Sequence, residues 1–365
     1  MKNTYGSSIS ITIFGESHGN GIGAVLDGLP PGIPVDEEYI SKKLTLRRPF
    51  GALSTKRVEP DHFQIMSGVY QGYTTGTPIC IMIPNEDTRS RDYAATRFLA
   101  RPGHADYTAF CKYHGYEDFR GGGHFSGRIT AALVACGSIA LSALERKGIL
   151  IGTHILRCAG ISDRGFANIP EDIRTLSALA FATLDEKAAE RMQEAIKEAR
   201  LEGDSVGGIL ETAVWGLPAG VGEPWFDSLE SVLSHIIFAI PAVKGVEFGD
   251  GFAMADLRGS QANDSFVMED DKVVTKTNHN GGINGGISNG MPVIFRSAIK
   301  PTPSIGKEQD TIDFNKYSNE KLIISGRHDP AIVHRARIVV DAAAALVICD
   351  MLTQRFGTDY FGGNL

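Results

Sequence analysis

The chain has 365 residues, 42% hydrophobic and 22% charged, the balance of a globular protein with a sizeable core. Its formal net charge of -7 argues against a general nucleic-acid surface, which needs a basic face, but leaves room for local binding of small phosphates. Five cysteines (Cys80, Cys111, Cys136, Cys158 and Cys349) form no CxxC pair and read as buried free thiols of a reducing, cytoplasmic setting. The N-terminus lacks a signal-peptide pattern. No run of roughly 18 apolar residues is present, so no membrane span is expected.

The alternating segment 8–14 predicts a strand. A second short strand and a proline-punctuated loop follow within 23–36. A helix is predicted over 36–46, with Asp36 near its cap and Ile40 and Leu44 on one face. Segments 62–70 and 77–83 predict strands joined by a glycine-rich turn at 71–76. The polar stretch 85–106, rich in Arg and Asp, is long for a plain connection, which implies function or mobility.

Beyond the triple glycine at 121–123, Ser126 is positioned to cap a helix with Ile129, Leu133, Cys136 and Ala140 on one face. Alanines fill much of the rest, so this helix should be buried. Segment 171–200 ends in a surface helix with Ala188, Met192, Ala195 and Ala199 on one side. Strands are predicted at 206–218 and 242–252, with a helix over about 226–240 between them. Another buried helix starts near Ala331 and runs through the alanine-rich segment to about 357. The expected fold class is α/β, one compact unit with apolar helices sandwiched between other layers. Each half holds a glycine cluster, a charged loop and a buried alanine-rich helix, as an internal duplication would, though no repeat in the sequence proves one.

Three distant segments, 47–50, 100–106 and 326–337, combine arginines with glycine or proline, and two carry histidines. Together they suggest a composite pocket for a small anionic substrate, because the planar guanidinium fork suits carboxylate and phosphate. Arg47, Arg48, Arg57, Arg128, Arg335 and Arg337 are the candidates. Burying such charge is costly unless anions balance it. His18, in Gly15–Gly19 at a strand end, is either a proton donor to a leaving oxygen or a structural turn residue. His104 has Arg101 and Asp106 as neighbours: Asp can orient the ring and Arg can hold an anion, or the loop is simply solvated. Asp329 precedes Pro330, which can occupy the first turn of the last helix, so it lies where helix dipole and amides favour negative charge. Arg335 and Arg337, two residues apart, cannot share one helical face. The glycine pattern at 19–24 is a poor dinucleotide fingerprint, since no helix follows it. The ten histidines include no zinc-type spacing, so no metal is expected. A non-catalytic binder of a phosphorylated metabolite would explain the arginines but not the histidines beside glycine turns.

Segments 15–30, 121–137 and 326–350 resemble the three signatures of the chorismate synthase family, in order, and several segments between them are similar too. The resemblance implies a β-α-β sandwich spanning 1–365 as a single domain. It implies a lyase of aromatic amino-acid biosynthesis in the shikimate pathway. Such an enzyme eliminates phosphate from 5-enolpyruvylshikimate 3-phosphate, giving chorismate, with reduced FMN (FMNH2) as cofactor. It further implies His18 as donor to the departing phosphate, His104 beside the flavin, and Asp329 as proton carrier near flavin N5. Arg48, Arg57, Arg128, Arg335 and Arg337 would hold substrate. His124, Phe125, Ser126, Pro241, Ala242, Gly285, Lys300, Pro301, Thr302, Pro303, Ser304 and Arg327 would contact flavin. The chain lacks the long insertions of self-reducing members and resembles the bacterial kind. This implies an external flavin reductase or NAD(P)H-dependent supply of reduced FMN, and a homotetramer in the cytoplasm. It departs from some relatives at 50–56, at Pro241 (often Asn) and at His124-Phe125-Ser126 (often Arg-Ser-Ser).

Overall fold

The structure is a computed structural model that describes residues 2–49, 51–54, 59–87, 96–324 and 329–362. Two antiparallel five-stranded sheets form its outer layers. The first orders its strands Thr4–Gly6, Ser10–Gly15, Gly21–Asp27, Ile79–Pro84 and Gln64–Ser67. The second orders them Val243–Phe248, Val293–Ile299, Gly208–Trp215, Leu150–Cys158 and Ile161–Ser162. The helices are α1 Glu37–Arg47, α2 Asp106–Tyr113, α3 Thr130–Arg146, α4 Ile169–Ser177, α5 Glu186–Leu201, α6 Leu229–Ala239, α7 Gly259–Ala262 and α8 Val333–Phe356. Helix α3 lies on the first sheet and α8 on the second, and the two pack against each other. The expected sandwich with buried central helices is therefore the observed one.

Local chemistry explains the middle layer. Asp36 accepts from the amides of Glu38 and Tyr39 and so caps α1. Ile40 and Leu44 are buried, as their spacing requires. Helices α3 and α8 touch through small residues: a Cβ on Gly137 would lie 2.5 Å from that of Ala342. Gly137→Val should therefore destabilise the fold by at least about 1–3 kcal/mol through overpacking; a denaturant midpoint equal to that of the parent would contradict this contact. The stretch Gly127–Arg146 is long and apolar enough to cross a membrane by length and composition, yet 83% of its apolar window is buried inside the protein, as befits a core helix.

Segment 171–200 ends in α5, as expected, and opens in α4, which was not anticipated. Helix α2 was not anticipated. Nor was the strand Leu150–Cys158, whose residues from Ile151 to Ile155 are all buried, so the alternation that betrays a half-exposed strand is missing.

Candidate active site

A cavity of about 1190 Å³ opens where the first sheet, the N-terminal ends of α3 and α8, and the end of α6 converge. Its cationic wall comes from three elements. Arg47 ends α1 and Arg48 follows it, Arg128 sits in the turn before α3, and Arg335 lies in the first turn of α8. The wall is already balanced by resident carboxylates. Asp61, with no exposed side-chain surface, pairs with Arg128 and, at 3.2 Å, with Arg47, and stands 4.0 Å from Arg48. Arg335 donates to Asp329 at 2.7 Å and to the carbonyl of Arg47 at 2.8 Å. Arg128 also donates to Asn85 at 3.0 Å and to the Pro84 carbonyl at 3.1 Å.

Burial pushes Arg47 down to about 10, with Arg335 and Arg128 acting the same way and Asp61 opposing. Burial pushes the Asp61 carboxyl up, but Arg47 and Arg128 outweigh it and hold it below the usual carboxylate range. Nε of Arg47 and of Arg48 are buried without a hydrogen-bond partner among the described residues. Such donors suit an added anion.

His18 borders the same cavity, 8% exposed, in the loop after strand Ser10–Gly15. The Ser17 amide donates to the Gly123 carbonyl at 3.1 Å, and His124 Nδ1 lies 2.8 Å from the Gly15 carbonyl. Gly121, Gly122 and Gly123 all take left-handed backbone. A Cβ at Gly121 would meet His18 at 2.1 Å, and one at Gly122 would meet His104 at 3.1 Å. The triple glycine is thus the backbone spacer that lets both imidazoles reach one cavity.

His104 precedes α2. Its Nδ1 lies 3.0 Å from Asp106 Oδ1 and 3.1 Å from Arg101 Nη2. The loop is braced from across the cavity, where Lys300 Nζ donates to the Gly103 carbonyl. The Lys300 amide donates to the Ala242 carbonyl at 3.0 Å, and Ser205 Oγ donates to the Thr302 carbonyl at 2.7 Å. Residues 101–106, 241–242 and 300–304 therefore form one connected rim.

Of the residues selected from sequence, His18, Arg48, His104, Asp329, Arg128 and Arg335 border this cavity. So do His124, Phe125, Ser126, Pro241, Ala242, Lys300, Thr302, Pro303 and Ser304. Pro301 lines a smaller neighbouring pocket. Two do not join them. Gly285 sits in the turn between Ile283–Asn284 and Ile287–Ser288. Arg337 points away, fully buried, donating to the Leu179 carbonyl; it is separated from Arg335 by the two-residue helical offset that its spacing implied. Arg57 and Arg327 lie outside the described residues. Sequence reasoning missed Glu59, Asp61 and Asn85. The signal available was an acidic pair directly after the basic stretch 47–57.

Beneath the wall, His334 Nε2 lies 2.7 Å from Ser54 Oγ, and Phe181 stacks on its ring. Burial pushes His334 down to about 3, helped by Arg335 and Arg337. The unfolded imidazole protonates near about 6.5, so the unfolded state binds the extra proton first. This contribution to stability is full above that pH and is lost as pH falls toward about 3. Against His334→Gln, the parent should lose about 2 kcal/mol more stability between about pH 7.5 and about pH 5. Denaturant titrations at both pH values test this; parallel losses in both proteins would rule it out.

A family model for chorismate synthase matches residues 9–353. Chorismate synthase of Pyrococcus abyssi is 48% identical over 350 residues, covering 96% of this chain and 97% of that protein. Chorismate synthase of Thermococcus kodakarensis is 46% identical over 351 residues, with 96% and 97% covered. A crystal structure of chorismate synthase superposes with a TM-score of 0.76 at 28% identity, over 97% of this chain and 94% of that one. The fold and the cavity define an α/β enzyme of the lyase class. The chain belongs to the chorismate synthase family.

Proposed function

We propose that the chain eliminates phosphate from 5-enolpyruvylshikimate 3-phosphate to give chorismate, with reduced FMN as cofactor, in the shikimate pathway. The observation that carries this reading is the convergence of Arg47, Arg48, Arg128 and Arg335 with His18, His104 and Asp329 on one cavity. A substrate with two carboxylates and a phosphate matches a wall of guanidiniums. The volume of about 1190 Å³ exceeds the roughly 300–1,000 Å³ of a single-ligand pocket, in keeping with a cofactor and a substrate bound side by side. The rim also fits an FMN: Thr302 Oγ1 is buried without a partner among the described residues. Ile11, Ile13, Leu133 and Ile240 supply an apolar side.

Residues 124–126, 241–242 and 300–304 would hold the flavin. When bound in its reduced form, flavin supplies transient electron density to a reaction with no net redox change. The chain's own residues do the rest. Arg48, Arg128 and Arg335, backed by Arg47, orient the anion. His18 gives its proton to the departing phosphate. Asp329, held beside Arg335, would carry the proton at flavin N5. His104 offers an imidazole to the flavin side of the cavity. Reduced flavin comes from an external NAD(P)H-dependent reductase. The enzyme works in the cytoplasm as a homotetramer; the largely exposed Trp225, Phe226 and Phe252 supply apolar surface for such assembly. The test is anaerobic incubation with reduced FMN and 5-enolpyruvylshikimate 3-phosphate, following chorismate and phosphate. Equal amounts of both are expected, and absence of product with fresh reduced flavin refutes the reading.

A further inference from the structure

We infer that Asp106, braced by Arg101, is the positioning residue that locks His104 in the tautomer with its proton on Nδ1, so that Nε2 is the nitrogen left for proton exchange with a ligand. The inference rests on the reading above only for the use of that nitrogen; the tautomer itself follows from local geometry.

Three polar atoms meet beside the ring. Asp106 Oδ1 is 3.0 Å from His104 Nδ1 and 2.6 Å from Arg101 Nη2, and that same Nη2 is 3.1 Å from Nδ1. Two proton arrangements are open to this triangle. If Nδ1 carries hydrogen, it and Arg101 both donate to the carboxylate oxygen, which has lone pairs for two. If Nδ1 is bare, it accepts from Arg101, but its lone pair then faces an anionic oxygen at 3.0 Å. Arg101 bonds the carboxylate in both. The first sets two N–H groups 3.1 Å apart but adds a ring bond to the anion, whereas the second turns a lone pair on a full negative charge, so the first wins.

The carboxylate is itself held firmly. Arg101 Nε donates to Oδ2 at 2.8 Å, and the Arg101 amide donates to the same oxygen at 3.0 Å. Asp106 opens α2, where the helix dipole favours a negative charge. Burial pushes its carboxyl up, yet the bonds from Arg101 and His104 outweigh this and hold it well below the usual range. Asp106 therefore stays an acceptor. On the far side of the ring, Nε2 lies against Gly122, where a Cβ would approach it to 3.2 Å. A side chain at Gly122 would crowd that nitrogen.

The arrangement also contains its own alternative. Without the carboxylate, Arg101 Nη2 remains beside Nδ1 as a donor, which would force the proton onto Nε2. Asp106 thus decides the tautomer, and Arg101 holds Asp106 in place.

The test is nitrogen NMR of protein labelled with ring-¹⁵N histidine at about pH 8.5, where free imidazole is neutral, with His104 assigned by comparison with His104→Gln. The parent should show Nδ1 protonated and Nε2 bare. Asp106→Ala should exchange the two signals, and Asp106→Glu should restore the parental pattern at least in part. Should Asp106→Ala fail to fold, Arg101→Met serves: it keeps the acceptor, so the parental tautomer should persist. A parental His104 protonated on Nε2, or on both nitrogens, overturns the inference. So does an Asp106→Ala spectrum like the parent's, or an Arg101→Met spectrum with the signals exchanged. In turnover, Asp106→Ala should lower kcat about a hundredfold with KM within about threefold. If the parent itself makes no chorismate, the functional reading fails while the spectra still decide the tautomer.

Discussion

Replacing His18 with alanine is expected to lower kcat by about 10²- to 10⁴-fold, the usual worth of a positioned acid, while leaving flavin affinity within about threefold. The imidazole is nearly buried, so its loss is not that of a freely solvated group. The segments proposed to hold flavin, 124–126, 241–242 and 300–304, sit on other elements and keep their own bonds. Gly121 supplies a second arm. Alanine there would put a Cβ in the space of the His18 ring, on a left-handed backbone. Gly121→Ala alone should therefore mimic His18→Ala, and the double variant should cost far less than the product of the two. Rapid-mixing turnover and flavin titration measure both quantities. Normal turnover by His18→Ala would remove His18 from the chemistry, and fully multiplicative losses would show that Gly121 acts elsewhere.

Replacing Asp61 with alanine should cost about 3–5 kcal/mol of stability, the penalty for leaving buried charge without its partner. Arg47 and Arg128 are both buried and both meet this carboxylate, and Arg335 adds like charge nearby. The same reasoning predicts partial rescue by inorganic phosphate, because an anion that binds the folded state stabilises it by mass action. Phosphate should raise the Tm of Asp61→Ala more than that of the parent. An unchanged Tm in the variant would mean that the arginines are balanced by something other than Asp61.

The site was more legible than the sheets. Glycine runs and Arg–His–Asp loops stand out because their backbone and charge are unusual, and most of those selected reached one cavity. Arg337 did not, since a helix carries residues two apart to different faces, and its guanidinium found the Leu179 carbonyl instead. Asp61 escaped notice because the acidic pair Glu59 and Asp61 reads as ordinary surface charge; its weight comes from three arginines that only the fold brings together. The buried strand Leu150–Cys158 lacks alternation for the same reason that it is central, namely that both faces are covered. Capped helices such as α1 were readable because Asp36, Ile40 and Leu44 act within a few residues of one another.

A clasp between α8 and the turn at 7–9 bears on how the molecule folds. Asp350 in α8 accepts from the amides of Ser7, Ser8 and Ile9 at 3.0, 2.7 and 2.8 Å. That turn must therefore wait for a helix whose clasping residue lies 343 positions later in the chain. Helix α8 also carries Arg335 to the cavity, so both the clasp and the completed wall wait for α8. Contacts this distant in sequence make closure slow, and until then the apolar faces of α3 and the first sheet stand open to aggregation.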